Sequence, residues 1–353
     1  MTKITVIDTG LRTGRENIAH DQAMVEARLS GVIGDSFKFI HFKPCALIGR
    51  HQALSQELKL DACKAQNVQT VRRMTGGGAI YFDEGQLGWA LICDKKILGT
   101  HNLTEITKKI CEAAALGLST LGVDAQFRPR NDIEVDGQKI SGTGGFFDGN
   151  ILMFQGTVLV DLSPKVMMSV LNVPAHKLEK RDLKSAAQRV TSLKALLGYA
   201  PKMADVQAAI AKGFERHLGF EMLAGDLPQA VEDMAKKCHD EEIGTDAFVA
   251  EIDAPAREAG VLVGSNEGGN LKAHLRLEGP QNNRVREVVF TGDVFVTPPR
   301  ALMDLESHLR GNFLKDVTQK TQEFFSAASI GMISLKPSEF SDAVLSAASN
   351  RKN

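Results

Sequence analysis

What this 353-residue chain has little of narrows its class before any motif is read. Its five cysteines, Cys45, Cys63, Cys93, Cys111 and Cys238, are odd in number, widely spaced and free of any CxxC pair. That excludes a disulfide framework or a zinc knuckle and leaves most of them as small buried hydrophobes. Neither sign of charge is in excess: 42 Lys+Arg against 43 Asp+Glu leave a formal net charge of -1. Nothing therefore draws the chain in bulk to nucleic acid or an anionic membrane, and any phosphate recognition must be local. No apolar run approaches a membrane span, and Met1–Asp8 holds nothing long enough for the apolar stretch of a signal peptide. A cytoplasmic protein with no nucleic-acid or membrane partner is expected. Internal repeats and low-complexity tracts are also missing. What remains is 43% hydrophobic residues over a length that accommodates about two domains.

The chain is organised around Arg72-Arg73-Met74-Thr75-Gly76-Gly77-Gly78-Ala79-Ile80-Tyr81-Phe82. Three successive glycines between apolar residues read as a tight loop joining two strands, able to bring backbone N–H groups against a ligand. Two arginines immediately upstream offer forked donors that suit phosphate or carboxylate oxygens. An anion is the natural partner, although a plain turn beside a solvated Arg pair fits the glycines by themselves.

In chain order, a strand around Ile4 and Val6 precedes a helix from about Asn17 to Leu29, a strand from Phe37 to Phe42, and a short apolar run Cys45–Ile48. That run ends at Gly49-Arg50-His51-Gln52, where His51 reads as a surface or satisfied histidine rather than a ligand. Gly88–Cys93 reads as a buried strand. Asn102-Leu103-Thr104-Glu105 has capping-box spacing and opens a core-facing helix through Leu121. Asp136-Gly137, between two alternating runs, predicts a two-residue hairpin of type I′. Its register would oppose Val135 to Gln138, Glu134 to Lys139, Ile133 to Ile140 and Asp132 to Ser141. Asp132, Glu134, Lys139 and Ser141 then share a polar face; taken by itself this is a solvated hairpin in which Glu134 and Lys139 form a cross-strand ion pair of little energetic weight. Helices are expected at Pro164–Asn172, Val206–Leu218 and Ala230–Lys237, with a charge-rich segment from Lys177 to Arg189. A domain boundary near Cys238–Gly244 divides residues 1–240 from 241–353. The second part shows alternation over Leu271–Glu278, a partner strand Val285–Phe290 and a helix after Thr297-Pro298-Pro299.

Arg72–Ala79, Asn131-Asp132, Lys139-Ile140-Ser141-Gly142 and Gly156-Thr157, in this order, resemble lipoate–protein ligase, a member of the biotin/lipoate ligase fold related to class II aminoacyl-tRNA synthetases. The match covers roughly the first two thirds of the chain. Phe290-Thr291-Gly292-Asp293-Val294-Phe295 and the helix after it resemble that family's accessory domain. The resemblance implies an α+β fold: a catalytic domain on a mixed, largely antiparallel sheet, plus a small α+β accessory domain. It also implies an ATP-dependent reaction in which lipoate becomes lipoyl-AMP and is passed to a lysine of a lipoyl carrier domain. Such carriers are a 2-oxoacid dehydrogenase acyltransferase subunit, a glycine cleavage H protein or another lipoate-binding protein.

By the same resemblance Lys139 is the catalytic lysine, bridging the carboxylate and the α-phosphate. Arg73, Gly77, Gly78, Ala79, Ile80, Tyr81, Asn131, Asp132 and Lys139 would hold ATP or the adenylate. Arg73, Gly76, Gly77 and Lys139 would hold lipoate, and Asp132 a Mg2+ ion. Leu47 and Trp89 line either the acyl tunnel or the core. The chain departs from the family at Phe82 and Gln155, where a histidine is frequent. Octanoyltransferases of the same scaffold use a cysteine nucleophile instead of ATP, but neither Arg128–Asp132 nor Val158–Pro164 contains one. An ATP-independent octanoyl- or lipoyl-transferase and a non-catalytic lipoate- or nucleotide-binding protein are the alternatives.

Overall fold

The computed structural model describes residues 1–172, 189–328, 330–333 and 335–351. Of the charge-rich segment Lys177 to Arg189, all but Arg189 lies outside the described residues. Strands β1 (Thr2–Arg12), β2 (Ser36–Phe42), β6 (Gln86–Asp94), β7 (Gln126–Arg128), β8 (Asp132–Val135), β9 (Gln138–Asp148), β10 (Ile151–Leu159) and β11 (Phe220–Ala224) form one sheet. Its order among the described residues is β11-β1-β2-β6-β10-β9-β8-β7. The pairs β1·β2 and β1·β11 are parallel and every other pair is antiparallel. This is the expected mixed, largely antiparallel α+β architecture.

Both faces of the sheet are covered. On one, Phe37, Trp89 and Phe154 pack against the helices Leu103–Ser119 and Met203–Leu218. The first of these starts where the sequence predicts, with the Asn102 side chain accepting the N–H groups of Thr104 and Glu105. On the other face, Ile40, Ala90, Ile92 and Met153 pack under the helix Gly14–Leu29, which a Thr13/Glu16 capping box begins. The helix Gln229–Cys238 lies beside it.

A smaller sheet has the order β4-β3-β5, from β3 (Cys45–Ile48), β4 (Gln69–Arg72) and β5 (Ile80–Phe82). Farther on, β12 (Leu262–Ser265), β13 (Leu271–Glu278) and β14 (Arg284–Gly292) make an antiparallel sheet. It shares a core with the helices Ala301–Leu309 and Pro337–Ser349. A ribbon of β15 (Phe295–Thr297) and β16 (Gly331–Ile333) completes this C-terminal module. No helix among the described residues is long and apolar enough to cross a membrane.

The Asp136-Gly137 hairpin turn is present, with φ of 50° and 77°, as a type I′ turn requires. Val135 opposes Gln138 and Glu134 opposes Lys139 as expected. Beyond them the expected register fails: a bulge puts Ile133 opposite Ser141 and Asp132 opposite Gly142. The extra residue lets Ile140 and Ser141, both fully buried, turn inward in succession. Here the backbone of Lys139 is also engaged by a distant segment, donating to Arg189 O at 2.7 Å and accepting from Thr191 N at 2.9 Å. The expected Glu134–Lys139 ion pair is replaced as well. Glu134 meets Arg128 at 3.4 Å, and Lys139 meets Asp132 at 2.6 Å.

Candidate functional site

Directly opposed residues of neighbouring strands share a face, so the ladder reads as rows across the sheet. One row runs Ile40, Gly88, Thr157, Gly142, Asp132. The Thr157 hydroxyl meets the Gly142 N–H at 3.1 Å and its carbonyl at 3.3 Å. With two glycines and a threonine, this row is a trough, and a cavity of about 840 Å³ lies along it. From β2 to β8 there are four inter-strand steps of ~4.8 Å, or roughly 19 Å, so the site is long rather than round. Its end over β2 is apolar, lined by Ile18, Ile40, Phe42 and Phe82, with the two rings stacked at 4.4 Å. Its end over β8 and β9 is polar, with Arg130, Asn131, Asp132 and Lys139.

At the polar end the Lys139 Nζ lies 2.6 Å from Asp132 Oδ1. Gly142 leaves the ammonium its space: a Cβ there would lie 2.7 Å from Nζ and 2.9 Å from Cε. The Asn131 carbonyl accepts from both the N–H and the hydroxyl of Thr143 at 2.9 Å, which fixes the strand beside the lysine.

The glycine loop, residues 73–79, carries the chain from β4 to β5 on opposite sides of β3. Its two arginines have different tasks. Arg72 is fully buried, and its guanidinium donates to the carbonyls of Gly49, Arg50, Gln52, Phe248, Val249 and Ile252. It belongs to the framework. Arg73 lines the cavity and donates to the Gly76 and Gly78 carbonyls at 2.7 and 2.9 Å, holding the loop closed. Burial lowers its pKa to about 10, which leaves it cationic at neutral pH. Gly76, Gly78, Ala79, Ile80 and Tyr81 line the cavity. Gly77, with φ of +100°, has its Cα toward the Phe295 ring, and its carbonyl stands 2.0 Å from where a Cβ on Gly49 would be.

Leu47 and Trp89 line the cavity and belong to the core at once. His51 is buried, its carbonyl accepts the Gly292 N–H at 3.0 Å, and burial lowers its pKa to about 3. It is a neutral framework residue. No cysteine lines the cavity among the described residues. Cys111 contacts the lining residue Thr143, Sγ to Oγ1 at 3.3 Å, and burial pushes its thiol up to about 12.

Among the lining residues that sequence reasoning missed, Asp293 and Phe295 come from the C-terminal module. The segment between β14 and β15 lies on the glycine loop: a Cβ on Gly76 would stand 1.8 Å from Val294 O. Cβ atoms on Gly77 and Gly144 would stand 2.5 and 2.4 Å from the Phe295 ring. These glycines admit another part of the chain. No local pattern around Phe295 announces a contact made with residues so far away in sequence.

The lipoyl protein ligase A/B catalytic domain family matches residues 13–215, which hold the trough, the glycine loop and Lys139. The chain belongs to that family. Lipoate–protein ligase 1 of Staphylococcus aureus is 29% identical over 192 residues, 54% of this chain and 57% of that one. The lipoate ligase relative thus aligns with the present chain over little more than half its own length. Octanoyltransferase LipM of Symbiobacterium thermophilum is 26% identical over 268 residues, 69% of this chain and 97% of its own. Among solved structures, P. falciparum LipL1 in complex with lipoate superposes with a TM-score of 0.74 at 16% identity, covering 97% of this lipoate ligase family member and 99% of LipL1. At that identity the likeness speaks for the fold.

Proposed function

We propose that the protein is an ATP-dependent lipoate–protein ligase that makes lipoyl-AMP and passes the lipoyl group to a lysine of a lipoyl carrier domain. The observation that carries this reading is an ammonium, Lys139, at the polar end of a long cavity whose described lining holds no thiol. In the first half-reaction a lipoate carboxylate oxygen attacks the α-phosphorus of ATP and pyrophosphate leaves. Two anions must meet, and Lys139 stabilises the charge between them, with Arg73 adding a fixed positive field from the loop. In the second, the carrier's neutral lysine amine attacks the acyl carbonyl, AMP leaves, and the amine's surplus proton passes to water.

The apolar end suits the hydrocarbon and dithiolane part of lipoate, and the amides around Gly78 and Ala79 suit the nucleotide. Magnesium takes few carboxylates and the rest of its ligands from substrate phosphates. Asp132 fits that donor set, and the ion when bound would neutralise phosphate charge. Among the described residues no group of three or more His, Cys, Asp or Glu makes a dedicated metal cage.

The similarity to octanoyltransferases keeps one rival in play, a transferase that acts without ATP. Lipoate-dependent exchange of labelled pyrophosphate into ATP separates the two. Exchange supports the ligase; acyl transfer between carrier proteins without ATP, and no exchange, would overturn it.

A further inference from the structure

One row inward from the trough, a second row crosses the sheet: Lys38, Ala90, Gln155, Gly144. A lysine between Ile40 and the helix Gly14–Leu29 is out of place in an apolar layer, and it is fully buried. The helix supplies its counter-charge. Asp21, 1% exposed, forms an ion pair with the Lys38 ammonium, which also reaches the Asn17 carbonyl at 3.4 Å. The second Asp21 oxygen accepts from the Gln155 amide nitrogen. Because the carboxylate takes the N–H, the amide oxygen is turned the other way, where it accepts the Thr75 hydroxyl at 3.2 Å. Thr75 opens the glycine run, and its carbonyl accepts the Arg50 N–H at 2.9 Å. Gln155 and Thr75 both line the cavity.

We propose that Gln155 is a positioning residue: oriented by the buried Lys38–Asp21 pair, it fixes Thr75 and thereby sets the height of the glycine loop above the trough. Stability alone does not call for this arrangement, since apolar side chains of similar volume at a buried ion pair are commonly neutral or stabilising. What an apolar layer lacks is a directional bond to Thr75. The carboxylate can only accept, so donors converge on it, Lys38 from one side and Thr75 through Gln155 from the other, and each member dictates how the next is turned. The inference concerns the loop of the proposed ligase site, but the tie itself does not depend on which reaction takes place there.

The test uses the full chain. Gln155→Met, close in volume, removes both hydrogen bonds without leaving a lysine unpaired. Amide hydrogen exchange in the Thr75–Gly78 stretch should speed up about tenfold, while exchange in β6 changes much less; the melting temperature should fall by a few degrees, because the buried Asp21 loses one donor. Thr75→Val should reproduce the effect and Thr75→Ser should reverse it. In pyrophosphate exchange the Gln155→Met protein should show a KM for lipoate raised about tenfold with kcat changed less than about threefold, the signature of lost positioning in the ground state. Unchanged loop exchange in folded Gln155→Met and Thr75→Val proteins would overturn the proposal. If the parent protein exchanges no pyrophosphate, the ligase reading falls, and loop exchange still decides on the tie.

Discussion

At the scale of single residues, the polar end of the trough rests on Lys139 and the glycine that makes room for it. Lys139→Ala should fold normally, because its side chain is 37% exposed and truncation opens no core cavity. Adenylate formation should fall on the order of 10²-fold or more, the usual effect of removing such an electrostatic group. Full activity, with circular dichroism unchanged, would remove Lys139 from the mechanism. Gly142→Ala is a finer probe. The new methyl would lie 2.7 Å from Nζ, so the ammonium must leave its place beside Asp132. Its rate of pyrophosphate exchange should drop about tenfold with little change in melting temperature; an equal rate would mean that the ammonium's position is not critical. Lys139's place on the polar face was legible in the sequence, because Asp136-Gly137 dictates the turn and the turn dictates the first two pairs. The bulge was not, since it follows from the burial of Ile140 and Ser141 and from the contact with Arg189–Thr191, which no local pattern encodes.

At the scale of elements, the glycine loop and the β14–β15 connection are fitted to one another. Gly144→Ala would place a methyl 2.4 Å from the Phe295 ring and push it from its seat against Gly77. A loss of about 1–3 kcal/mol is the usual consequence of such overpacking. Phe295→Ala combined with Gly144→Ala should be less unstable than the two single effects added, a double-mutant cycle readable by urea unfolding. Strict additivity would mean that the two residues do not bear on one another. Within the C-terminal module, burial raises the Glu306 carboxyl from 4.5 to about 7, and the nearby charge of Glu287 adds to this. Its oxygen accepts the Phe290 N–H of β14 at 2.7 Å. A folded value above the unfolded one means stability that is complete below pH 4.5 and is lost as pH rises through 7. Glu306→Gln keeps an acceptor for Phe290 without a titrating group. It should therefore melt above the parent at pH 8.5 and alongside it at pH 4; equal melting at both values would exclude Glu306 as the source. Strand and helix order was largely readable from periodicity, whereas the fit of Phe295 between two glycines was not, because it joins segments distant in the chain.

At the scale of the whole molecule, the expected division at 240/241 meets a group of contacts that run past it. Ile243 and Phe248 sit in the core under the helix Gly14–Leu29, and Val249 packs with Ala46 and Ile48. The carbonyls of Phe248, Val249 and Ile252 are acceptors for the buried Arg72. We therefore propose a working boundary after Asp253. A chain ending there should be soluble and should still transfer the acyl group from added lipoyl-AMP, while making that adenylate poorly, because the Asp293–Phe295 wall is gone. One ending at Lys237 should aggregate, because Arg72 loses half of its carbonyl partners. Gel filtration and circular dichroism check both, and a well-folded 1–237 fragment would restore the earlier boundary. In sequence the charge-rich Cys238–Gly244 stretch reads as a linker, whereas in the fold its Ile243 packs into the first core. Finally, the chain's only tryptophan, Trp89, is fully buried, stacked at 5.7 Å on Phe37, and borders the cavity. Its emission should lie at short wavelength and change when the trough fills, so this chain carries its own optical gauge of occupancy, readable in a cuvette with no label attached.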